Sequence, residues 1–126
     1  MNFLPDTNVI INFLKGYEPD KSFLEKLIIS GKLHISFISV AEFISGATPD
    51  DEEKFSEFCN IAEMLMVDGK IAKFGGDYRK KYSKKVKKAY LVDCLIAASC
   101  KAYELQLITN DTKDYPMNDI EIVKPK

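Results

Sequence analysis

The fold is decided by the first sixteen residues, MNFLPDTNVIINFLKG (residues 1–16). They begin with a short apolar run typical of a buried strand, and the apolar residues after it recur at helical spacing. This pattern predicts a strand over Asn2–Pro5 and a helix over Asn8–Leu14, which Gly16 ends because glycine easily takes the left-handed cap conformation. Asp6 then lies between two buried elements, where a carboxylate needs a compensating partner.

The rest of the chain continues to alternate short strands with longer helices. In chain order we predict a helix over Asp20–Ser30, a strand over residues 33–36, a short helix capped by Ser39, a helix from Pro49 whose apolar stripe reaches Leu65, a strand near Met66–Val67, a helix from Lys70, a helix over Leu91–Tyr103, and strands over residues 106–109 and 120–123. Strands separated by helices favour a parallel sheet covered on both faces. We therefore expect one α/β domain over residues 1–126, with a central, mostly parallel sheet of four to five strands.

The composition is that of a folded domain in water. The chain is 46% hydrophobic and 29% charged, and no apolar run approaches the roughly 18 residues that a membrane span needs. The N-terminus lacks the basic flank and cleavage site of a secretory signal. Three cysteines without CxxC spacing favour neither a disulfide framework nor a zinc site. We expect a cytoplasmic protein without membrane association.

Three acids stand in apolar surroundings: Asp6, Glu42 in FISVAEFISG and Asp93 in AYLVDCLIAAS. Singly, each could be a helix cap or a hydrogen-bonded core acid. A further group of acids follows the QLIT strand, in TNDTKDY, at the same end of the sheet as Asp6. Because ligands of open parallel sheets bind outside the carboxyl ends of the strands, we expect all of these acids to meet in one crevice.

Crowded carboxylates cannot all stay ionised without a cation. Oxygen ligands with no nearby His or Cys suit Mg²⁺ or Mn²⁺. The only histidine, His34, lies in a strand-like segment and is more typical of a structural residue. The sequence therefore predicts a hard-metal acidic site in which the metal activates the nucleophile.

Four ordered motifs along nearly the whole chain resemble those of the PIN-domain family, in particular the ribonuclease toxins of VapBC-type toxin–antitoxin modules. They lie in LPDTNVIINFLKG, in ISFISVAEFISGA, and in the helix and final loop of LVDCLIAASCKAYELQLITNDTKDY. The resemblance implies a PIN-like α/β/α sandwich. It also implies metal-binding acids at Asp6, Glu42 and Asp93, with the fourth at Asp111 or Asp114; Asp111 is favoured as the nearer to the strand end.

The resemblance further implies polar supports for these acids. Thr7 and Asn8 would hold Asp6 or a water on the metal, and Ser39 would steady Glu42, although simple helix capping explains Thr7 and Ser39 equally well. Thr109 and Asn110 match the polar support in the final loop. The chain departs from the family before Asp93, where YSKKVKKAYLV replaces a short glycine-containing loop.

The implied reaction is hydrolysis of RNA phosphodiester bonds by a Mg²⁺- or Mn²⁺-activated water, which leaves 5′-phosphate and 3′-hydroxyl ends. An acidic pocket repels phosphates, and the segment RKKYSKKVKK (residues 79–88) holds seven of the 18 basic residues and no acid. Such a segment is often only a solvated helix face, but beside the crevice it can bind RNA with an affinity that falls with salt. The predicted RNA contacts are Arg79, Lys80, Lys84, Lys85, Lys87 and Lys88. Implied partners are an RNA substrate, a small antitoxin and a second copy of the chain in a homodimer.

Three alternatives remain open. One is a PIN nuclease of RNA processing, and another is a non-catalytic RNA-binding module of the same fold. The third is a phospho-accepting receiver domain, which would need an acidic pair after the first strand. Asp6 stands alone there, and Glu42 on a helix would have no role in a receiver.

Overall fold

The computed structural model describes residues 1–84 and 89–126. Its elements, in chain order, are β1 Asn2–Pro5, α1 Thr7–Leu14, α2 Asp20–Ile29, β2 His34–Ser36, α3 Phe37–Ser45, α4 Pro49–Ile61, β3 Glu63–Leu65, α5 Gly69–Tyr82, α6 Leu91–Tyr103, β4 Leu105–Ile108, a 3₁₀ turn Thr112–Asp114 and β5 Ile122–Val123. The predicted bounds of β1 and α6 match these, and those of α1, α2 and β4 agree to within one residue.

All strand pairs in the described residues are parallel, as expected for strands joined by helices. β1 pairs with β4, with Asn2 opposite Leu105, and β5 lies on the outer side of β4. β2 pairs with β3, and a single bridge between Phe3 and Leu33 joins this pair to β1. The sheet therefore runs β3-β2-β1-β4-β5 and confirms the predicted parallel architecture.

Two apolar clusters lie on opposite faces of this sheet. Leu107 packs into a cluster with α5 and α6, whereas its neighbour Ile108 packs with the buried residues of α1 to α4. This split follows from the two-residue period of a strand, which sends successive side chains to opposite faces. Both faces of β4 are thus buried, and the sheet edge at its carboxyl end is the place left for polar groups.

Helices α5 and α6 pack closely at a glycine. A Cβ added at Gly75 would stand 2.6 Å from the Leu95 Cδ2 atom and 3.2 Å from its Cγ atom, whereas at Gly76 it would meet nothing within 4 Å. Gly75 therefore sets the distance between α5 and the helix that carries Asp93.

No helix in the described residues is long and apolar enough to cross a membrane.

Two of the predicted boundaries are wrong. The α3 helix is capped by Ser36, whose Oγ accepts the Ile38 N–H at 3.0 Å, and not by Ser39, which lies inside its first turn. The third strand occupies Glu63–Leu65 and not Met66–Val67, because α4 stops at Ile61. Leu65 therefore belongs to the sheet, although its spacing also suits the helical stripe of α4.

Candidate active site

Asp6 stands at the junction of β1 and α1. Its backbone N–H donates to the Ile108 carbonyl at 2.9 Å, and its Oδ1 accepts the Val9 N–H at 3.1 Å, so the side chain caps α1. Its Oδ2 accepts a hydrogen bond from the Thr109 hydroxyl at 2.5 Å. With the residue only 6% exposed, both oxygens are held in fixed positions in the sheet edge.

The loop after β4 is bound to this junction. Thr109 is fully buried, and while its Oγ1 donates to Asp6 it also accepts the Asp111 N–H at 3.0 Å. The Asp111 Oδ2 in turn accepts from the Asn8 amide at 3.3 Å. One hydroxyl thus orients two of the predicted acids relative to each other.

Glu42 reaches the same place from α3. Its Oε1 accepts a hydrogen bond from the Thr7 hydroxyl at 2.6 Å. The predicted support from Ser39 is wrong: its buried Oγ has no hydrogen-bond partner among residues 1–84 and 89–126. Thr7 therefore supports Glu42 and not Asp6, because α1 turns the Thr7 side chain towards α3.

Asp93 completes the cluster from the first turn of α6. The structure brings all five predicted acids to one small cavity of about 60 Å³, together with a buried tyrosine that sequence reasoning left without a role. The lining residues are Asp6, Thr7, Asn8, Glu42, Asp93, Asp111, Asp114 and Tyr115. Asn110 is not among them, because its amide donates to Asp20 at 2.8 Å.

Burial and mutual repulsion dominate the electrostatics of this cavity. Burial raises the pKa of Asp6 to about 6, with repulsion from Asp111 and Glu42 adding to it and the Thr109 and Val9 hydrogen bonds opposing it. Burial also raises the pKa of Asp93 to about 6, and here Asp114 is the acid that contributes most. The charge of Asp111 therefore raises mainly the pKa of Asp6, and the charge of Asp114 raises mainly the pKa of Asp93.

The donor set suits a hard divalent cation. Five carboxylates line the cavity, and within residues 1–84 and 89–126 no Lys, Arg or His is among its lining residues. However, no group of three or more Asp, Glu, His or Cys side chains within residues 1–84 and 89–126 is arranged to hold a metal ion directly. The acids share a cavity without converging on one point, which suits an ion such as Mg²⁺ that keeps several of its waters.

Sequence reasoning missed Asp20, which is 3% exposed and accepts the amide of Asn110 from 90 positions away. Its local sequence, YEPDKS, reads as a polar surface turn. Nothing in that segment signals burial, because the partner comes from the far end of the chain. Tyr115 could have been found, since it is the aromatic residue that ends the final acidic loop.

The fold and the cavity together define an α/β protein with an acidic site at the carboxyl edge of a parallel sheet. The chain belongs to the PIN domain family, whose model matches residues 3–119. This confirms the family and the fold that the motifs predicted.

Named relatives and solved structures agree with this assignment. The chain is 30% identical over 122 residues to "Ribonuclease VapC10" of Mycobacterium tuberculosis, which covers 97% of this chain and 90% of that protein. It superimposes with a TM-score of 0.80 on a toxin–antitoxin complex from Klebsiella pneumoniae, at 27% identity and covering 99% of this chain and 98% of the other. VapBC2 from Rickettsia felis, bound to a DNA fragment from its promoter, shares the fold with a TM-score of 0.83, 22% identity and 98% coverage of both chains.

Proposed function

We propose that the chain is a divalent-metal-dependent endoribonuclease and the toxin of a toxin–antitoxin pair. The observation that carries the proposal is the cavity in which five carboxylates meet, with no cationic lining residue in the described part of the chain. The name of the Mycobacterium tuberculosis relative, a ribonuclease, supports RNA as the substrate. The similarity to a toxin–antitoxin complex from Klebsiella pneumoniae supports an antitoxin as partner.

The residues proposed to hold Mg²⁺ or Mn²⁺ are Asp6, Glu42, Asp93, Asp111 and Asp114. A metal bound there would supply Lewis acidity, which lowers the pKa of water and offsets negative charge on a phosphate. Asp111 and Asp114 are both assigned to the site because both line the cavity and each repels a different acid. Asp111 raises the pKa of Asp6, and Asp114 raises the pKa of Asp93.

The chain's own contribution is to orient these oxygens before substrate arrives. Thr109 fixes Asp6, Thr7 fixes Glu42 and Asn8 fixes Asp111. Partners of this kind typically change metal affinity or activity by about 10–100-fold. The buried Tyr115 lines the cavity, and its side chain lowers the pKa of Asp93 and so partly opposes the effect of burial.

RNA binding is assigned to the basic ridge, which we define as the exposed side chains of Arg79, Lys80, Lys81 and Lys84. Lys85, Lys87 and Lys88, also predicted to contact RNA, lie outside the described residues. The Arg79 charge partly opposes the burial-driven rise in the pKa of the Cys94 thiol, and Cys94 is the neighbour of Asp93 in α6. Arg79 therefore lies close to α6, the helix that carries Asp93, and the proposed role of the basic ridge is to offset the repulsion between carboxylates and phosphates.

The deciding experiment is cleavage of total RNA by the purified protein, followed by sequencing of the new ends. We expect 5′-phosphate ends that appear with Mn²⁺, disappear in EDTA and are absent for Asp93→Asn. The matched control is Asp77→Asn, which removes an exposed acid of α5 that pairs with Lys73 at 3.0 Å and does not line the cavity. Undiminished cleavage in EDTA or by Asp93→Asn would refute the metal mechanism.

A cellular test separates the toxin from a PIN nuclease of RNA processing. A toxin arrests growth on induced expression in the cytoplasm, and co-expression of its antitoxin relieves the arrest. A purified nuclease that cleaves RNA but leaves growth unchanged would favour RNA processing. The homodimer remains part of the proposal and is tested by the mass of the protein in solution.

A further inference from the structure

A second buried carboxylate lies outside the acidic cavity. Asp20, the first residue of α2, is 3% exposed. Its Oδ2 accepts two hydrogen bonds, from the Asn12 amide of α1 and from the Asn110 amide after β4, each at 2.8 Å. One oxygen atom therefore connects three segments that are separate in sequence.

This carboxylate is compensated by amides and by its place in the fold. None of the salt bridges found within residues 1–84 and 89–126 involves Asp20. Its position in the first turn of α2 lets the helix dipole favour the anion, and hydrogen bonds to a charged group are stronger than those to a neutral one. Moving either amide away would leave the buried carboxylate with one hydrogen bond fewer, which costs free energy, so the two amides are held in place.

Asn110 connects Asp20 to the loop that carries the cavity residue Asp111. Its two neighbours in sequence face the other way: Thr109 donates to Asp6, and the Asp111 carboxylate accepts from Asn8. The Asp111 N–H also donates to Thr109, so the loop is held from the side of β1 by these contacts. The Asn110 amide supplies the only hydrogen bond found between this loop and α2 in the described part of the chain.

We infer that Asp20 is a positioning residue for the acidic site: through Asn110 it holds the loop that presents Asp111 to the cavity. Asp20 does not itself line the cavity and touches no proposed metal ligand. The inference rests on the proposed function in so far as the loop serves a metal site. It assigns to the buried first residue of α2 a part in the geometry of a loop from the other end of the chain.

The variants that test this change one contact at a time. Asp20→Asn replaces the carboxylate by a neutral amide, so that the Asn12 and Asn110 amides then donate to an uncharged carbonyl oxygen, and such hydrogen bonds are weaker than those to a carboxylate. Asp20→Asn combined with Asn110→Asp exchanges donor and acceptor across the 2.8 Å contact and keeps the total charge. Glu25→Gln is the matched control, since it removes one negative charge from the same helix, and its only ion pair within residues 1–84 and 89–126 is with Lys21.

Two readouts are measured on each variant: hydrogen exchange of the Asp111 amide, and Mn²⁺ affinity by titration calorimetry. We expect Asp20→Asn to speed exchange at Asp111 and to weaken Mn²⁺ binding, each by about tenfold, the lower end of the range for residues that support metal ligands. Glu25→Gln changes neither, and the exchanged pair restores both. If Asp20→Asn does not fold, Asn110→Ala removes the donor alone and carries the same expectation.

Two results would overturn the inference. One is unchanged Asp111 exchange and Mn²⁺ affinity in Asp20→Asn. The other is faster exchange that is equal at Asp111 and at Leu4 in the core, without rescue by the exchanged pair, since this is what a purely structural role produces. Failure of the wild type to bind Mn²⁺ would instead refute the metal site of the proposed function, and the exchange data would still decide the role of Asp20.

Discussion

Replacing Asp6 by asparagine should stabilise the metal-free protein while abolishing its activity. Burial and the neighbouring acids raise the pKa of Asp6 from 3.8 to about 6. Each pKa unit corresponds to about 1.4 kcal/mol, so keeping Asp6 ionised at neutral pH costs the folded state about 3 kcal/mol at most. The amide carries no charge, and its two ends can still pair with the Val9 N–H and the Thr109 hydroxyl.

The sign of the pH dependence distinguishes this explanation from a general packing effect. The folded protein binds more protons than the unfolded chain between about pH 4 and pH 6, because the folded pKa is the higher. The stability that protonated Asp6 provides is complete below about pH 4 and is lost as the pH rises through 6. We therefore expect Asp6→Asn to be no more stable than the wild type at pH 4 and more stable by about 1–2 kcal/mol at pH 8, after allowing for weaker hydrogen bonds.

The assay is denaturant unfolding of both proteins in EDTA, from pH 4 to pH 8. Asp51→Asn is the control of opposite sign, because hydrogen bonds with Thr48 in the cap of α4 lower the pKa of Asp51. That variant should lose stability by a similar amount from pH 4 to pH 8, because the pKa of Asp51 is lowered from 3.8 and so lies below this range. A difference between Asp6→Asn and the wild type that stays constant across this range would refute the buried-charge explanation.

Two further predictions follow from single contacts. Thr109→Val removes the hydroxyl that donates to Asp6, so it should destabilise the protein by about 1.5–3 kcal/mol at pH 8 and raise the Asp6 pKa above about 6. Denaturant unfolding and NMR titration measure the two effects. Thr109→Ser keeps the hydroxyl and should leave that pKa unchanged. Gly76→Ala should raise the melting temperature, since alanine is favoured over glycine in a helix by about 1 kcal/mol. Gly75→Ala should gain less stability or lose it, because its Cβ meets Leu95. Equal gains in the two variants would contradict the close packing of α5 against α6.

The sequence predicts the parts of the fold that are encoded locally. β1, α1 and α6 are found with nearly the predicted bounds, because each has a clear apolar period and a glycine or polar boundary. The third strand was displaced because a three-residue strand has no period of its own and its apolar residues continue the helical spacing of α4. The choice of Ser39 over Ser36 failed for a related reason: both serines precede apolar residues, and only the end of β2 decides which one caps the helix.

In the candidate site, too, the sequence predicts what is encoded locally and misses what depends on long-range contacts. The five acids could be chosen from sequence because they stand in apolar segments or directly after a strand, and the structure brings all of them to one cavity. Their supports could not be paired correctly, since Thr7 reaches Glu42 across 35 positions and Asn8 reaches Asp111 across 103. Such pairings depend on how the helices pack, which no local pattern records.

The central claim is that the acidic cavity binds a divalent cation, and calorimetric titration of the purified protein with Mn²⁺ tests it most directly. We predict saturable binding by the wild type and by the control Asp77→Asn. Binding by Asp93→Asn should be weaker by more than about 100-fold, beyond the range typical of residues that only support a ligand. No saturable binding by the wild type, or equal affinity in Asp93→Asn, would contradict the claim.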